Sequence, residues 1–246
     1  MTTFLLLLTL IFLSPLAIFF FLRRQTLPQK FLSFFLGFAA GTFAFLFLFE
    51  GIAEVFPWSH QSWLAIFFLA AGVTTNYLLD QLVPENEHHH HQHCHHPQKL
   101  CHLATMATIS LGVHNLVEGF TFGLLALTDP TASAILALMI ILHNIPLNLS
   151  LLAPESYLKS STPHILKHLF FANFPFVLGA CSYFLFTTDL ISSQLMLCAS
   201  FFAFGLVIYL LIHEIIPIAW QKNYKLATIF GGLAGLLLVL FINFFE

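Results

Sequence analysis

Long apolar runs alternate with short polar breaks along the whole chain. A helix crossing the core of a bilayer needs about 20 apolar residues. Eight runs meet that length, roughly Phe4–Leu22, Phe31–Ile52, Ser62–Leu82, Leu103–Leu127, Ala132–Ala153, Ile165–Phe186, Leu190–Ile212 and Leu226–Phe245. The breaks hold turn formers: Pro57, Pro84 and Pro97, Asp129-Pro130, Pro154 and Pro163. Little chain is left over for a soluble domain. The pattern predicts an all-α membrane protein of eight transmembrane helices, with residues 1–246 as a single transmembrane domain. The first run has no basic segment before it, and its Arg23-Arg24 pair follows it, so a retained helix is expected rather than a signal peptide.

Composition agrees with the pattern. Of the 246 residues, 59% are apolar and 8% charged, and mean hydropathy is +0.89. Ordinary soluble domains carry about a quarter charged residues. So few charges cannot cover a water-exposed surface, and so many apolar groups exclude disorder. A formal net charge of −3 argues against a nucleic-acid partner. The cysteines at 94, 101, 181 and 198 are scattered, with two inside apolar runs, and imply no disulfide framework.

The placement of the few basic residues says more than their sum. Arg23, Arg24 and Lys30 lie between spans 1 and 2, and Lys99 lies between spans 3 and 4. Lys159 and Lys167 flank the 5–6 connection, and Lys222 and Lys225 lie between spans 7 and 8. All therefore fall on one face of the membrane. The positive-inside rule makes that face cytoplasmic and puts both termini outside.

A shift of 160 residues lays span 2 on span 7: Ser33 meets Ser193, Ala39 meets Ala199, Glu54 meets Glu214 and Pro57 meets Pro217. Spans five apart run in opposite directions, so the match predicts an inverted repeat, a common construction of secondary transporters. Gly37-xxx-Gly41, Gly119-xxx-Gly123 and Gly231-xxx-Gly235 supply small-residue faces for close helix packing.

Three polar clusters carry candidate chemistry. Span 4 holds His114-Asn115-Leu116-Val117-Glu118-Gly119, and span 5 holds His143-Asn144-Ile145-Pro146-Leu147-Asn148. Ionisable groups at that depth are costly unless partnered. His114 and Glu118 are four apart and share a helix face. Pro146 cannot donate to the carbonyl of Leu142, so span 5 is expected to kink there and free an oxygen. Imidazole, carboxylate and amide donors on two facing helices suit a divalent transition metal, zinc first. The alternative for such a pair is a buried structural hydrogen bond.

The second cluster is the connection between spans 3 and 4, residues 83–102. It contains His88, His89, His90, His91, His93, Cys94, His95 and His96, followed by Cys101-His102. An expression tag would sit at a terminus and would not contain a cysteine. The segment reads as a multi-site metal-binding loop on the cytoplasmic side. The third cluster is His213-Glu214-Ile215-Ile216-Pro217, at the inner end of span 7. A His-Glu-x-x-His metalloprotease motif would need histidine where Pro217 stands, so that reading fails. His213 and Glu214 read as a relay at the cytoplasmic mouth, or as a helix end in contact with water. Glu50 and Glu54, at the outer end of span 2, could collect cations by their field.

With these residues in place, the chain resembles the ZIP (Zrt/Irt-like) metal transporters over nearly its whole length. The most specific match is His-Asn-x-x-Glu-Gly, here His114 to Gly119, with His143, Asn144 and Pro146 matching the span 5 motif. Phe38-Ala39-Ala40-Gly41 with Glu54-x-x-Pro57, and His213-Glu214-x-x-Pro217, resemble the family's spans 2 and 7. The resemblance implies a 3+2+3 helix arrangement, with spans 1–3 and 6–8 as the repeat. It implies import of Zn²⁺, with Fe²⁺, Mn²⁺ and Cd²⁺ as related ions, through a site between spans 4 and 5. His114, Glu118 and His143 would form the main metal site, Asn115 and Asn144 would belong to its neighbour, and Asn148 is a further candidate metal residue. The implied setting is a cell membrane, plasma or inner, with metal ions, lipid and a second copy of the chain as partners. Three positions depart from the family pattern. Val117 stands where proline is usual, Leu147-Asn148 where span 5 usually has an acid, and Phe174-Pro175 where a Glu-Pro pair is common. Two carboxylates of a full two-metal site are therefore missing. A metal-dependent intramembrane hydrolase and a transport-inactive metal sensor are the alternative readings of the same residues.

Overall fold

The computed structural model describes residues 2–23, 27–51, 62–83, 97–182, 193–220 and 223–244. They form α1 (Thr2–Arg23), α2 (Gln29–Leu46, continued by a π-turn at Phe47–Gly51), α3 (Ser62–Leu82) and α4 (Pro97–Thr128). There follow α5 (Pro130–Tyr157), α6 (Thr162–Ser182), α7 (Ser193–Leu210, continued by a π-turn at Leu211–Ile215 and a last turn at Ile216–Ala219) and α8 (Lys225–Asn243). No strand occurs among the described residues. Among the described residues, eight helices are long and apolar enough to span a membrane, as the sequence predicts. Helix is the economical solution for such runs, because lipid offers the backbone no hydrogen-bond partner.

Local chemistry sets several boundaries. Asp129 caps α5 by accepting from the backbone N–H groups of Thr131 and Ala132, both at 3.0 Å, and Pro130 opens the helix. The helix then runs unbroken through Pro146 and Pro154 to Tyr157. Residues 97–102, assigned by sequence to the His-rich connection, are the first turns of α4, with Leu100 and His102 buried. Proline starts that helix well, since its missing N–H would lack an intrahelical partner anyway. At 1.5 Å per residue, the 32 residues of α4 and 28 of α5 span about 48 and 42 Å, more than a hydrocarbon core of about 30 Å. Their ends therefore project beyond it, while His114 and His143 sit near mid-helix.

The strongest helix pairings are α4 with α6, α2 with α8 and α3 with α7, followed by α4–α5, α1–α5, α4–α7 and α2–α5. Exchanging 1 with 6, 2 with 7, 3 with 8 and 4 with 5 converts this set into itself. The α2–α8 pair becomes α7–α3, α4–α6 becomes α5–α1, and α4–α7 becomes α5–α2. Small residues make the closest pairs. A Cβ added at Gly37 or Gly41 would collide with the backbone of Thr228 or Gly232 on α8, and one at Gly231 or Gly235 with the backbone of α2. Gly119 and Gly123 do the same for α4 against Phe176 and Ala180 of α6. All three small-residue motifs are thus used at helix interfaces.

Candidate metal centre

His114 and Glu118 project from one face of α4, and α5 brings His143 against them. Glu118 Oε1 lies 2.8 Å from His114 Nε2 and 2.6 Å from His143 Nε2, so one carboxylate oxygen bridges both imidazoles. The three are the residues that sequence analysis selects as the main site, and their ligand atoms lie within 4.8 Å of one another. The other carboxylate oxygen, Oε2, is buried without a hydrogen-bond partner. Ligand atoms around a tetrahedral zinc stand about 3.3 Å apart, given bonds of about 2.0–2.1 Å. The trio is therefore drawn together by hydrogen bonds and would open by about half an ångström to take such an ion.

The cluster lines a cavity of about 160 Å³ whose other walls include Phe43 and Leu46 of α2 and Ser200, Ala203, Phe204 and Val207 of α7. These are the helices exchanged in the pairing pattern, 2 with 7 and 4 with 5. The lining residues extend from mid-helix toward the 2–3, 4–5 and 6–7 connections. On the opposite side the same helices close over a buried apolar cluster, with Leu36 and Ala39 of α2, Leu111 of α4, Leu147 and Leu151 of α5, and Leu210 of α7. Leu147 is 1% exposed and belongs to that cluster rather than to the cavity wall.

The asparagines serve helix contacts. Asn115, one residue round from His114, donates to the carbonyl of Ala172 on α6 at 2.8 Å. Asn173 of α6 donates to Asn148 Oδ1 at 2.9 Å, and Asn148 donates to the carbonyl of Asn144 at 2.9 Å. The three predicted asparagines do not line the cavity. The Oδ1 atoms of Asn115 and Asn144 are nonetheless buried without hydrogen-bond partners.

His213 and Glu214 sit on the π-turn of α7. They meet Asp80, and the ligand atoms of all three lie within 4.8 Å of one another. His213 Nδ1 is 3.2 Å from Glu214 Oε1 and 3.9 Å from Asp80 Oδ2. His102 of α4 contacts Asp80 Oδ1 and stands 3.9 Å from Glu214. Tyr209 donates to Asp80 Oδ2 at 2.7 Å. Asp80 and Tyr209 were not singled out by sequence; their only signal is an acid and a phenol inside otherwise apolar runs. His102 precedes His114 by twelve residues, which places this cluster about 18 Å along α4 from the central one. Glu54 and the loop residues His88, His89, His90, His91, His93, Cys94, His95 and His96 lie outside the described residues.

A polytopic helical protein with a His/Glu cluster at mid-helix is the class that the fold and site define. No family model matches the chain, and no solved structure matches it. Two curated proteins do. The chain is 25% identical over 237 residues to the zinc transporter ZupT of Streptococcus mutans serotype c, covering 89% of this chain and 87% of that one. It is 24% identical over 243 residues to the zinc transporter ZupT of Akkermansia muciniphila, with the same coverage. ZupT is a ZIP-family protein, so the resemblance to that family extends from the motifs to nearly the whole chain.

Proposed function

We propose that the chain transports Zn²⁺ across a cell membrane into the cytoplasm, through a site formed by His114, Glu118 and His143. The observation that carries this reading is the convergence of those three side chains on one cavity at mid-helix. Two neutral imidazoles and a carboxylate are a zinc-type donor set. Both relatives are named as zinc transporters, which favours transport over hydrolysis by the same residues. The helix pairing supports an inverted repeat of spans 1–3 and 6–8 around a central α4–α5 pair, the 3+2+3 arrangement.

In this reading the cavity faces outward and the apolar cluster beneath it seals the inner half. The ion enters from the outer connections and loses its water to the imidazoles and Glu118. It then passes to Asp80, His102, His213 and Glu214 once the helices move apart. The distribution of basic residues favours a cytoplasmic side for the ends bearing this second cluster. The His-rich connection then receives metal inside, and Asn115, Asn144 and Asn148 support the central site.

The decisive experiment is tracer zinc uptake in proteoliposomes. Wild-type protein should accumulate zinc, and His143→Ala should not. Equal uptake by the two would remove the site. Orientation is tested separately by impermeant thiol reagents on intact cells. A cysteine at Ser59 should react, and cysteines near Lys99 and Lys159 should not.

A further inference from the structure

The connection between α5 and α6 brings together three donors that the transport reading does not use. Glu155 lies in the last turns of α5 and is 1% exposed. His164 and His168 lie four apart at the start of α6 and present their rings to it, with centroids 4.5 Å apart. Glu155 Oε1 is 3.3 Å from His164 Nε2 and 3.2 Å from His168 Nδ1. The ligand atoms of all three lie within 4.8 Å of one another.

Two features separate this cluster from an ordinary ion pair. The spacings match the edge of a tetrahedral zinc site, about 3.3 Å for bonds of about 2.0–2.1 Å, rather than a short charge-assisted hydrogen bond of about 2.7–2.9 Å. The buried groups are also left unsatisfied: Glu155 Oε2 has no hydrogen-bond partner, and the 3.2 Å contact of His168 Nδ1 with Oε1 lacks hydrogen-bond geometry. A carboxylate so deeply buried normally has its oxygens satisfied, and a bound cation would do that. His164 is half exposed, so water and ions can reach the site from the connection side.

We infer that Glu155, His164 and His168 form a separate binding site for a divalent transition-metal ion of the zinc type, closed by a water at the fourth position. Glu155 follows His143 by twelve residues, so the site is about 18 Å along α5 from the central one. It lies at the same end of the bundle as Asp80 and Glu214 but between different helices. An ion held here ties α5, which carries His143, to α6. The inference is independent of the transport reading, because it needs only these side chains.

The test counts Zn²⁺ bound per full-length chain in detergent at saturating free zinc, by elemental analysis after equilibrium dialysis. The double variant His164→Ala/His168→Ala should hold one zinc ion fewer than wild type. His143→Ala should lose a different ion, so that combining the changes removes both. Glu155→Gln, nearly isosteric, should reproduce the loss if the carboxylate is a ligand. Metal bound by the His-rich loop is common to every variant and cancels. A wild-type count in both His164→Ala/His168→Ala and Glu155→Gln overturns the inference, whatever His143→Ala does.

Discussion

The central cluster and the cluster at the α3–α7 end differ chiefly in charge. The first sets two imidazoles against a single carboxylate, Glu118. The second sets two imidazoles, His102 and His213, against two carboxylates, Asp80 and Glu214. With neutral imidazoles, a divalent ion leaves a net +1 at the centre and zero at the end. An uncompensated charge away from water costs several kcal/mol even after relaxation. In the proposed transport reading, the ion is therefore held weakly at mid-helix and more firmly about 18 Å away, at the α3–α7 end. In that reading the slope favours passage toward the α3–α7 end, and a ligand lost from the central cluster should matter most.

The largest effect should come from removing Glu118, the one carboxylate of the central cluster among the described residues. Glu118→Ala should lower zinc affinity at the central site by about 100-fold or more, the size expected for about 3 kcal/mol of lost charge compensation. Proteoliposome uptake should fall to background with the protein still folded in the membrane. Residual uptake above a tenth of wild type would show that another carboxylate serves the centre.

Next comes the attempt to equalise the two clusters. Leu147 lies one turn beyond His143 and is fully enclosed by the apolar cluster under the cavity. Leu147→Glu adds a negative charge one helical turn from His143. Zinc binding should tighten about tenfold, equivalent to about 1.4 kcal/mol, because the ion then leaves no excess charge. In the absence of metal the same change should lower thermal stability, since a carboxylate replaces a packed leucine. Calorimetric titration and melting curves with and without zinc measure both. An equal loss of stability in the two conditions would show that residue 147 does not reach the ion.

The end cluster should be more forgiving. Asp80→Asn and Glu214→Gln each leave one carboxylate beside His102 and His213. Each should reduce uptake several-fold, and the double variant should reduce it by more than the product, because the groups share one network. Asp80 holds three partners against two for Glu214, so Asp80→Asn should be the more damaging. The reverse order would place the ion nearer Glu214.

How much of this was legible in the sequence follows from how far apart the partners lie. The eight helices could be read because each is an unbroken apolar run with its own punctuation, such as the Asp129-Pro130 cap. His114 and Glu118 could be paired because a helix repeats at four residues. His143 could be added because its motif repeats that of span 4. The start of α4 was misplaced because Pro97 begins the helix while the polar composition continues to His102. Asp80 was missed because it sits 22 residues from His102 and more than 120 from its α7 partners, a separation that only packing can close. His164 and His168 do show the four-residue spacing, but their carboxylate lies across a helix connection, and no periodicity links Glu155 to them.

The smallest effect should come from the histidines that are most conspicuous in the sequence. The segment His88–His96 offers seven imidazoles and one thiol in nine residues, more donors than one ion needs. Ligands in such excess bind metal in several overlapping ways, so loss of any one is compensated. In the proposed reading, occupancy there follows free metal on the side the loop faces and not the passage through the helices. Deleting the segment should therefore leave initial uptake rates within about twofold of wild type at low zinc. The difference should grow as zinc accumulates and the loop would otherwise fill. Time courses over a range of external zinc concentrations distinguish the two regimes. If deletion abolishes initial uptake while His143→Ala leaves it intact, the contrast is inverted and the conducting ligands lie in the loop rather than in α4 and α5.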